Sequence, residues 1–295
     1  MPGPSEGPSA APQPPPKADV PDAAPLYASG DTSYREEPTC VALTDVSELA
    51  RSYAPGARRK AALGLSTSRY PAGGTFIEAQ DDRALGAWFL AAPDSFDGTG
   101  SRLDTVIHEG SHIWSAKRFR PGIQVYSVRS DLSIEAKRLK NFLRSEILEV
   151  HVDRAADTYA KTYLEGASGA QGLNTLLDEY NAYAHSLASR YCTRDFVGPG
   201  MRVSARDGIL TFMYYVEAYL GLARERHTRD YEAILADPGH RRLILTVWDR
   251  AEFWLRQSAH EPNLGISDET IRGWVYVPER LEEIARVRRA HAAAK

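Results

Sequence analysis

The sequence predicts a mainly α-helical fold with a small N-terminal β-sheet, that is, an α+β arrangement. Apolar residues recur with the 3.6-residue period of α-helices through most of residues 131–295. Two short apolar runs, 73–79 and 85–91, precede that region and are typical of strands. These observations together indicate a small sheet followed by a helical body.

The composition is that of an ordinary globular protein. The chain has 295 residues, of which 43% are hydrophobic and 25% charged. The net charge of −3 gives no basic field, so nucleic acid is not expected as a partner. The longest apolar run, 209–222, is interrupted by Glu217 and is shorter than the roughly 18 residues of a membrane span. We therefore expect a buried helix there and no transmembrane segment.

The N-terminal region has the composition of a disordered tail. Residues 1–25 contain nine of the 18 prolines, and no apolar stretch of a signal peptide follows Met1. We place the tail or linker at residues 1–36 and a single domain at 37–295. Tails of this kind often tether a domain to an envelope, which slightly favours an extracytoplasmic protein, secreted or envelope-tethered, over a cytoplasmic one. Cys40 and Cys192 are either two buried thiols or one disulfide, and the sequence leaves this open.

The remaining elements follow from local signals. We predict a short strand and a helical turn in 38–53, a helix at 57–64 and a small sheet within 70–95. A helix follows at 102–119, with Ser101 or Asp104 as its N-cap and Pro121 beyond its end. In the helical body 131–295, helices are predicted at 131–164, 173–192, 206–226, 228–236, 239–258 and 268–293, with a flexible break at 166–172.

The helix at 102–119 contains the pattern His108-Glu109-x-x-His112. Residues four apart lie on the same helix face, so His108 and His112 can direct two imidazole nitrogens to one metal ion. Glu109 lies about 100° around the helix, where it can reach a water on that metal without being a ligand. This is the arrangement of a zinc hydrolase with a Glu general base.

The flanking residues give this helix a buried side and a cleft side. Thr105, Ser115, Ala116 and Phe119 surround the histidines. Apolar or small residues occupy the opposite face: Leu103, Val106, Ile107, Gly110, Ile113 and Trp114.

Residues 102–119 resemble the active-site helix of the zincin metallopeptidases, on one helix rather than the whole chain. The resemblance implies a zincin-like catalytic domain, a zinc metalloprotease that hydrolyses peptide bonds, and Zn²⁺ as cofactor. It implies His108 and His112 as metal ligands, Glu109 as catalytic base and a peptide or protein substrate. In zincins, a sheet before this helix binds the extended substrate by edge pairing. The two predicted strands could do this or could only cover a core.

A zinc site of this kind needs a third protein ligand, which in gluzincins is a Glu on a downstream helix. We favour Glu179, because Glu-x-x-Ala-Tyr resembles the third-ligand helix of several such families and Ala182 leaves room for the first helix. Glu149 is the alternative third ligand, with Asp153 as its outer partner, and Val152 departs from that pattern. Asp153 itself is the weakest candidate. A carboxylate that is not a ligand is expected in an outer role or in an ion pair with Arg138 or Arg144.

Other residues give weaker indications. Tyr183, Tyr214 and Tyr215 are candidates to donate a hydrogen bond to a developing oxyanion. His151 and His185 are expected to be surface or hydrogen-bonded core residues.

Two alternative functions remain at this point. A helical envelope or interaction protein with a structural or absent metal would show no cleft over His108. A non-peptidase zinc amidase for a small molecule would show a deep closed pocket without an exposed strand edge.

Overall fold

A computed structural model describes residue 36 and residues 43–294 of the chain, and this part is mainly helical with one small antiparallel sheet. The predicted tail at 1–36, apart from Glu36, the predicted strand residues 38–42 and Cys40 lie outside the described residues. Cys192 is disulfide-bonded. No helix in the described part of the chain is long and apolar enough to cross a membrane.

Six helices precede the sheet within the described residues. They are α1 (Ser47–Arg51), α2 (Arg58–Arg69), α3 (Ala72–Ala79), α4 (Asp82–Phe89), α5 (Phe96–Gly100) and α6 (Leu103–Lys117). Helix α6 carries the HExxH motif within the predicted range. Its N-cap is Arg102, without a side-chain cap bond, so the predicted caps Ser101 and Asp104 are wrong.

The sheet predicted within 70–95 is wrong, because both candidate strands form helices. In α3 the buried residues include Ala72, Phe76 and Ile77, which follow the helical spacing rather than strict alternation. In α4 the buried residues Leu85 and Phe89 are one turn apart, and the Asp81 carboxylate caps the helix by accepting from the backbone N–H of Ala84. The apolar runs were too short to distinguish the two periods.

The sheet follows the HExxH helix instead of preceding it. Strands β1 (Ile123–Arg129) and β2 (Leu132–Lys137) form an antiparallel hairpin in which Tyr126 lies opposite Ile134. Side chains of β2 alternate between buried and exposed. The prediction of one long helix over 131–164 is therefore wrong at its start.

The remainder of 131–164 is also mostly non-helical. A 3-10 helix occupies Arg144–Glu149, an irregular segment covers 150–159, and α7 is only Ala160–Tyr163. Glu149 and Asp153, the alternative ligand candidates, therefore do not lie on one helix. The predicted break at 166–172 contains the short helix α8 (Gly166–Gly169).

The later helices agree closely with the predicted ranges. They are α9 (Leu173–Cys192), α10 (Ala205–Arg226), α11 (Thr228–Ala236), α12 (Pro238–Ser258), α13 (Asp268–Val275) and α14 (Pro278–Ala293), with 3-10 turns at Arg194–Phe196 and Pro262–Leu264. The predicted helix 268–293 is two helices, because Pro278 begins a new one.

Helix α9 lies at the centre of the fold and packs against α6, α10 and α12. It contains buried residues around its whole circumference, including Leu176, Tyr180 and His185. A helix buried on all sides is held in position from several directions. The face of α9 that meets α6 is the one that carries the site.

Candidate metal centre and cleft

Helix α6 is held against α3 by a close contact at Gly110, the first variable position of the HExxH motif. A Cβ at Gly110 would lie 2.5 Å from the backbone oxygen of Phe76 and 2.5 Å from Nε2 of Gln80. Gln80 uses that Nε2 to donate to the backbone oxygen of Val106, at 2.9 Å. Only glycine permits this approach, which fixes the buried side of α6 and leaves its other side toward α9 and the cleft.

Helices α6 and α9 run antiparallel, with polar pairs at successive turns of α6. Asp104 pairs with the guanidinium of Arg190. One turn later, Nδ1 of His108 lies 3.0 Å from Oγ of Ser186. One further turn on, Nδ1 of His112 lies 2.8 Å from a carboxylate oxygen of Asp178. Positions 104, 108 and 112 therefore form one stripe on α6, and each of them is bonded to a residue of α9.

These contacts bring His108, His112 and Glu179 together as a group that could hold a metal ion. The Nε2 atoms of the two histidines are 3.3 Å apart. Oε2 of Glu179 lies 3.4 Å from each of those nitrogens. The three atoms thus form a nearly equilateral triangle on the helix interface.

The outer hydrogen bonds determine which histidine nitrogens face inward. The Ser186 hydroxyl donates to the backbone oxygen of Ala182, at 3.2 Å, so it accepts from the Nδ1–H of His108. The Asp178 carboxylate likewise accepts from the Nδ1–H of His112. In the neutral imidazoles, both Nε2 atoms then present lone pairs to each other and to Glu179. A cation between these lone pairs, either a metal ion or a proton, would offset their mutual repulsion.

The size of the triangle fits zinc. For ligand bonds of about 2.0–2.1 Å in a tetrahedral site, the distance between two ligand atoms is about 3.3–3.4 Å. The three measured distances, 3.3, 3.4 and 3.4 Å, fall in that range. Oε2 of Glu179 is buried and has no hydrogen-bond partner among the described residues. The donor set and its spacing therefore fit a tetrahedral zinc ion with one position left for water.

The electrostatics of the group favour a cation as well. Burial acts to raise the pKa of Glu179, but its close ion-pair contacts with His108 and His112 outweigh burial and hold the pKa well below the ordinary value. Burial acts to lower the pKa of His112, but the Asp178 and Glu179 carboxylates raise it well above 6.5. Two carboxylates thus surround the convergence point, and a bound metal would replace a proton there.

A cleft of about 1030 Å³ opens beside the triangle. His108, Glu109 and Thr105 of α6 line it, together with the loop 91–95, residues of 158–163 and the segment 196–205. Among the described residues, the Glu109 carboxylate has no hydrogen-bond or ion-pair partner. The predicted base therefore faces the cleft next to a predicted ligand.

Tyrosines form the wall of the cleft next to His108. The ring of Tyr183 packs edge-on against His108, with centroids 4.7 Å apart. Its hydroxyl is 2.7 Å from the hydroxyl of Tyr163, which also lines the cleft. Burial raises the pKa of both hydroxyls, so both stay protonated at neutral pH.

The other two candidate tyrosines lie elsewhere. Tyr215 donates to Asp157 at 2.5 Å, and Tyr214 accepts from the backbone N–H of Val152 at 3.1 Å. Neither lines the cleft. Of the three tyrosines predicted as oxyanion donors, the structure places only Tyr183 at the site.

The alternative third ligands also lie away from the two histidines. Glu149 pairs with Arg226, Nη1 to Oε2 at 2.5 Å, and its side chain is 58% exposed. Asp153 accepts from the backbone N–H of Ala156. The expected ion pairs of Glu149 with Arg138 or Arg144 are absent from the described residues, where Arg144 instead donates to the backbone oxygen of Ser168.

The cleft is not bordered by the sheet. Every residue of its lining belongs to a helix or a connecting segment, and none to β1 or β2. The predicted strand edge for an extended substrate is therefore absent from the described part of the site. The loop 91–95 after α4 forms part of the lining.

Three residues at the site were not assigned these roles from the sequence: Asp178, Ser186 and Tyr163. Asp178 had a usable signal, since it precedes Glu179 and acidic residues commonly orient metal-bound histidines. Ser186 gives no such signal, because the sequence shows only a small residue on the same helix face as Ala182. Tyr163 lies in the region that was wrongly predicted as a long helix, so its position could not be inferred.

No protein-family model, curated protein or solved structure matches this chain.

Proposed function

We propose that this protein is a zincin-like zinc metallopeptidase in which His108, His112 and Glu179 hold Zn²⁺. One observation carries the proposal. Three ligand atoms converge with the spacing of a tetrahedral zinc site, while the other nitrogen of each histidine is already bonded to α9. A buried structural histidine bonds both ring nitrogens to other parts of the fold, as His185 does. His108 and His112 instead direct their inner nitrogens at each other and at Glu179.

The chain's own residues would divide the chemistry as follows. A bound zinc would polarise the substrate carbonyl and acidify a water. Glu109 would remove the proton from that water and deliver it to the leaving amine. Ser186 and Asp178 keep the histidine tautomers fixed. Because the hydroxyls of Tyr163 and Tyr183 are hydrogen-bonded to each other, one of the two keeps a free O–H, which can donate to negative charge that develops on the carbonyl oxygen.

The cleft supports an enzyme over a protein with a purely structural metal. Glu109 and His108 line an open cavity of about 1030 Å³. A structural zinc has four protein ligands and is closed to solvent, whereas the described residues supply a group of three.

A second candidate function is a zinc amidase that acts on a small molecule. The lining of the cleft by helices and connecting segments alone favours it, because no strand edge is available to pair with a peptide. A cavity of about 1030 Å³ is also sufficient to enclose a drug-sized ligand, for which about 300–1,000 Å³ is usual.

Metal analysis combined with an activity screen tests the proposal. We expect purified protein to bind one zinc per chain, and His112→Ala to lose it, because only two ligands remain. The wild type should cleave a mixture of synthetic peptides, detected by mass spectrometry, and a mixture of acylated amines tests the second candidate. Absence of zinc from both proteins after incubation with the metal would contradict the proposal.

Replacement of the base should separate chemistry from metal binding. Glu109→Gln keeps the size of the side chain but cannot accept a proton. We expect full zinc content and a loss of hydrolysis of at least about a hundredfold, the lower end of general-base contributions. Glu78→Gln, an exposed glutamate on α3 away from the cleft, is the matched control and should keep full rate.

A further inference from the structure

A second cavity, called the second chamber below, lies next to the cleft. This second cavity, of about 720 Å³, is lined by residues of 259–272 and by Arg206. It shares Arg202 and Ile266 with the cavity that contains His108 and Glu109. These two side chains therefore lie between the two cavities, and we call them the ridge.

The ridge is held in place from both sides. The Asp207 carboxylate accepts from the backbone N–H groups of Ile266 and Ser267, each at 3.0 Å, which fixes the segment that carries Ile266. On the other side, the backbone N–H of Val203 donates to the backbone oxygen of Asn263 at 2.8 Å, next to Arg202. Ile266 is 53% exposed, so a fixed segment presents an apolar side chain to the groove.

The charge around the ridge favours an anionic group. Arg202 is exposed and has no ion pair among the described residues, and Arg272 and His260 also line the second chamber. Arg206 and Asp268 neutralise each other, with Nε to Oδ2 at 2.6 Å. Glu269 is the other acidic residue of that lining. Among the described residues of this lining, two arginines without an ion-pair partner, Arg202 and Arg272, therefore stand against one such acidic residue, Glu269.

We propose that the second chamber is a specificity subsite for an acidic side chain of an extended polypeptide substrate. Arg202 binds the carboxylate of that side chain, and Ile266 contacts its methylene groups. The inference rests on the proposed peptidase function and narrows its substrate class. A small amide would fill the first chamber alone, whereas only a chain that passes over the ridge uses both.

Peptide cleavage tests the subsite. The probe is a set of twelve-residue peptides, blocked at both ends, in which one Glu, Gln or Lys is moved through an otherwise neutral sequence. We expect cleavage to favour Glu at one fixed position relative to the scissile bond. Arg202→Glu should lower kcat/KM for that peptide by about tenfold or more and shift the preference at that position to Lys. Arg202→Gln should remove the preference without reversing it.

A binding measurement gives a second readout that does not depend on turnover. The preferred Glu peptide, labelled with a fluorophore, should bind zinc-loaded Glu109→Gln protein. The double variant Glu109→Gln/Arg202→Glu should bind this peptide about tenfold more weakly, the order expected for loss of a hydrogen bond to a charged group. Arg242→Glu makes the same charge change at an exposed position of α12, away from both chambers, and should leave affinity and preference intact.

The outcomes separate the inference from the function on which it rests. If wild type cleaves the peptides, Glu109→Gln does not, and the Arg202 variants keep the wild-type preference, the subsite is wrong and the peptidase stands. The same conclusion follows if Arg242→Glu changes the preference as much as Arg202→Glu does. If zinc-loaded wild type cleaves no peptide, the peptidase function and the subsite both fail.

Discussion

At the candidate metal centre, each histidine has one ring nitrogen bonded within the fold and the other directed at the point where the three side chains converge. His108 uses Nδ1 for Ser186 and keeps Nε2, and His112 uses Nδ1 for Asp178 and keeps Nε2. Because the outer atoms are fixed by hydrogen bonds within the protein, the inner atoms converge without needing the ion to gather them. The site is therefore preorganised, which lowers the entropic cost of metal binding.

Zinc titration of three variants distinguishes a ligand from its support. Glu179→Ala should lower zinc affinity by several orders of magnitude, because two histidines and water remain. Asp178→Ala should lower it by about 10–100-fold, the usual effect of removing a carboxylate that orients a ligand. Glu149→Ala is the matched control and should have wild-type affinity, since Glu149 pairs with Arg226. Full zinc occupancy in Glu179→Ala at low free zinc would show that the ligand set is wrong.

The proximity of Glu179 to the histidines was predictable from the sequence, but the surroundings were not. A glutamate at the edge of an apolar helix face, followed by Ala182, is a local pattern that can be read directly. The hydroxyls of Ser186 and Tyr163 give no such signal, because any exposed helix face contains similar residues. Their roles depend on how helices meet, which spacing along one element does not encode.

Among the helices, the pair α3 and α6 shows how a close contact sets the orientation of the motif. The backbone oxygen of Phe76 faces Gly110 so closely that no side chain fits between them. Gln80 adds hydrogen bonds to the backbone oxygens of Val106 and Phe76. Gly110 therefore serves the packing of α6 on α3, while His108 and Glu109 line the cleft.

A methyl group at this contact should be costly. Gly110→Ala places a Cβ 2.5 Å from a backbone oxygen, so α3 and α6 must move apart. We expect a loss of about 1–3 kcal/mol in the free energy of unfolding, as for other overpacked cores, measured by urea denaturation. Gly86→Ala, in exposed α4 with open space around the new Cβ, should instead stabilise by about 0.5–1 kcal/mol. Equal effects of the two substitutions would contradict the packing argument.

The sequence predicted the helices after residue 172 well and most of the elements before it poorly. Helices α9 and α11 have the predicted bounds, because many residues repeat one period and strong signals such as Pro238 follow. The runs at 73–79 and 85–91 hold only two or three buried apolar residues each, which fit a strand or a helix equally. The irregular segment 150–159 is held by long-range contacts, such as that of Val152 with Tyr214, which local periodicity cannot indicate.

The whole molecule contains a carboxylate in its interior at Glu217 of α10. The side chain is 1% exposed, and neither oxygen has a hydrogen-bond partner among the described residues. Burial raises the pKa of Glu217 well above 4.5; the Arg280 guanidinium opposes this shift, and the Glu283 and Glu252 carboxylates add to it. The residue that interrupts the apolar run 209–222 is therefore kept neutral by the fold.

This carboxyl should make stability depend on pH. The folded state holds the proton more tightly than the unfolded state, so its contribution is complete below about pH 4.5 and is lost as pH rises. Glu217→Gln removes this titration. The free energy of unfolding of the variant minus that of wild type should therefore be larger at pH 7.5 than at pH 4.5, by more than about 1 kcal/mol. Denaturant unfolding at both pH values measures the difference. Glu232→Gln, at an exposed position of α11, is the control and should give the same small difference at both.

Helix α9 supplies the fold with its centre and the site with most of its contacts. Asp178, Glu179, Tyr183, Ser186 and Arg190 all lie on the face that meets α6. One residue inserted ahead of them would turn this whole face by about 100°. A three-nucleotide insertion in the gene at that point would therefore rotate the candidate ligand Glu179, the histidine partners Asp178 and Ser186, and Tyr183 of the cleft wall away from α6 in one event. No single later substitution could restore all of these contacts, so the register of this helix relative to α6 is inherited as one unit.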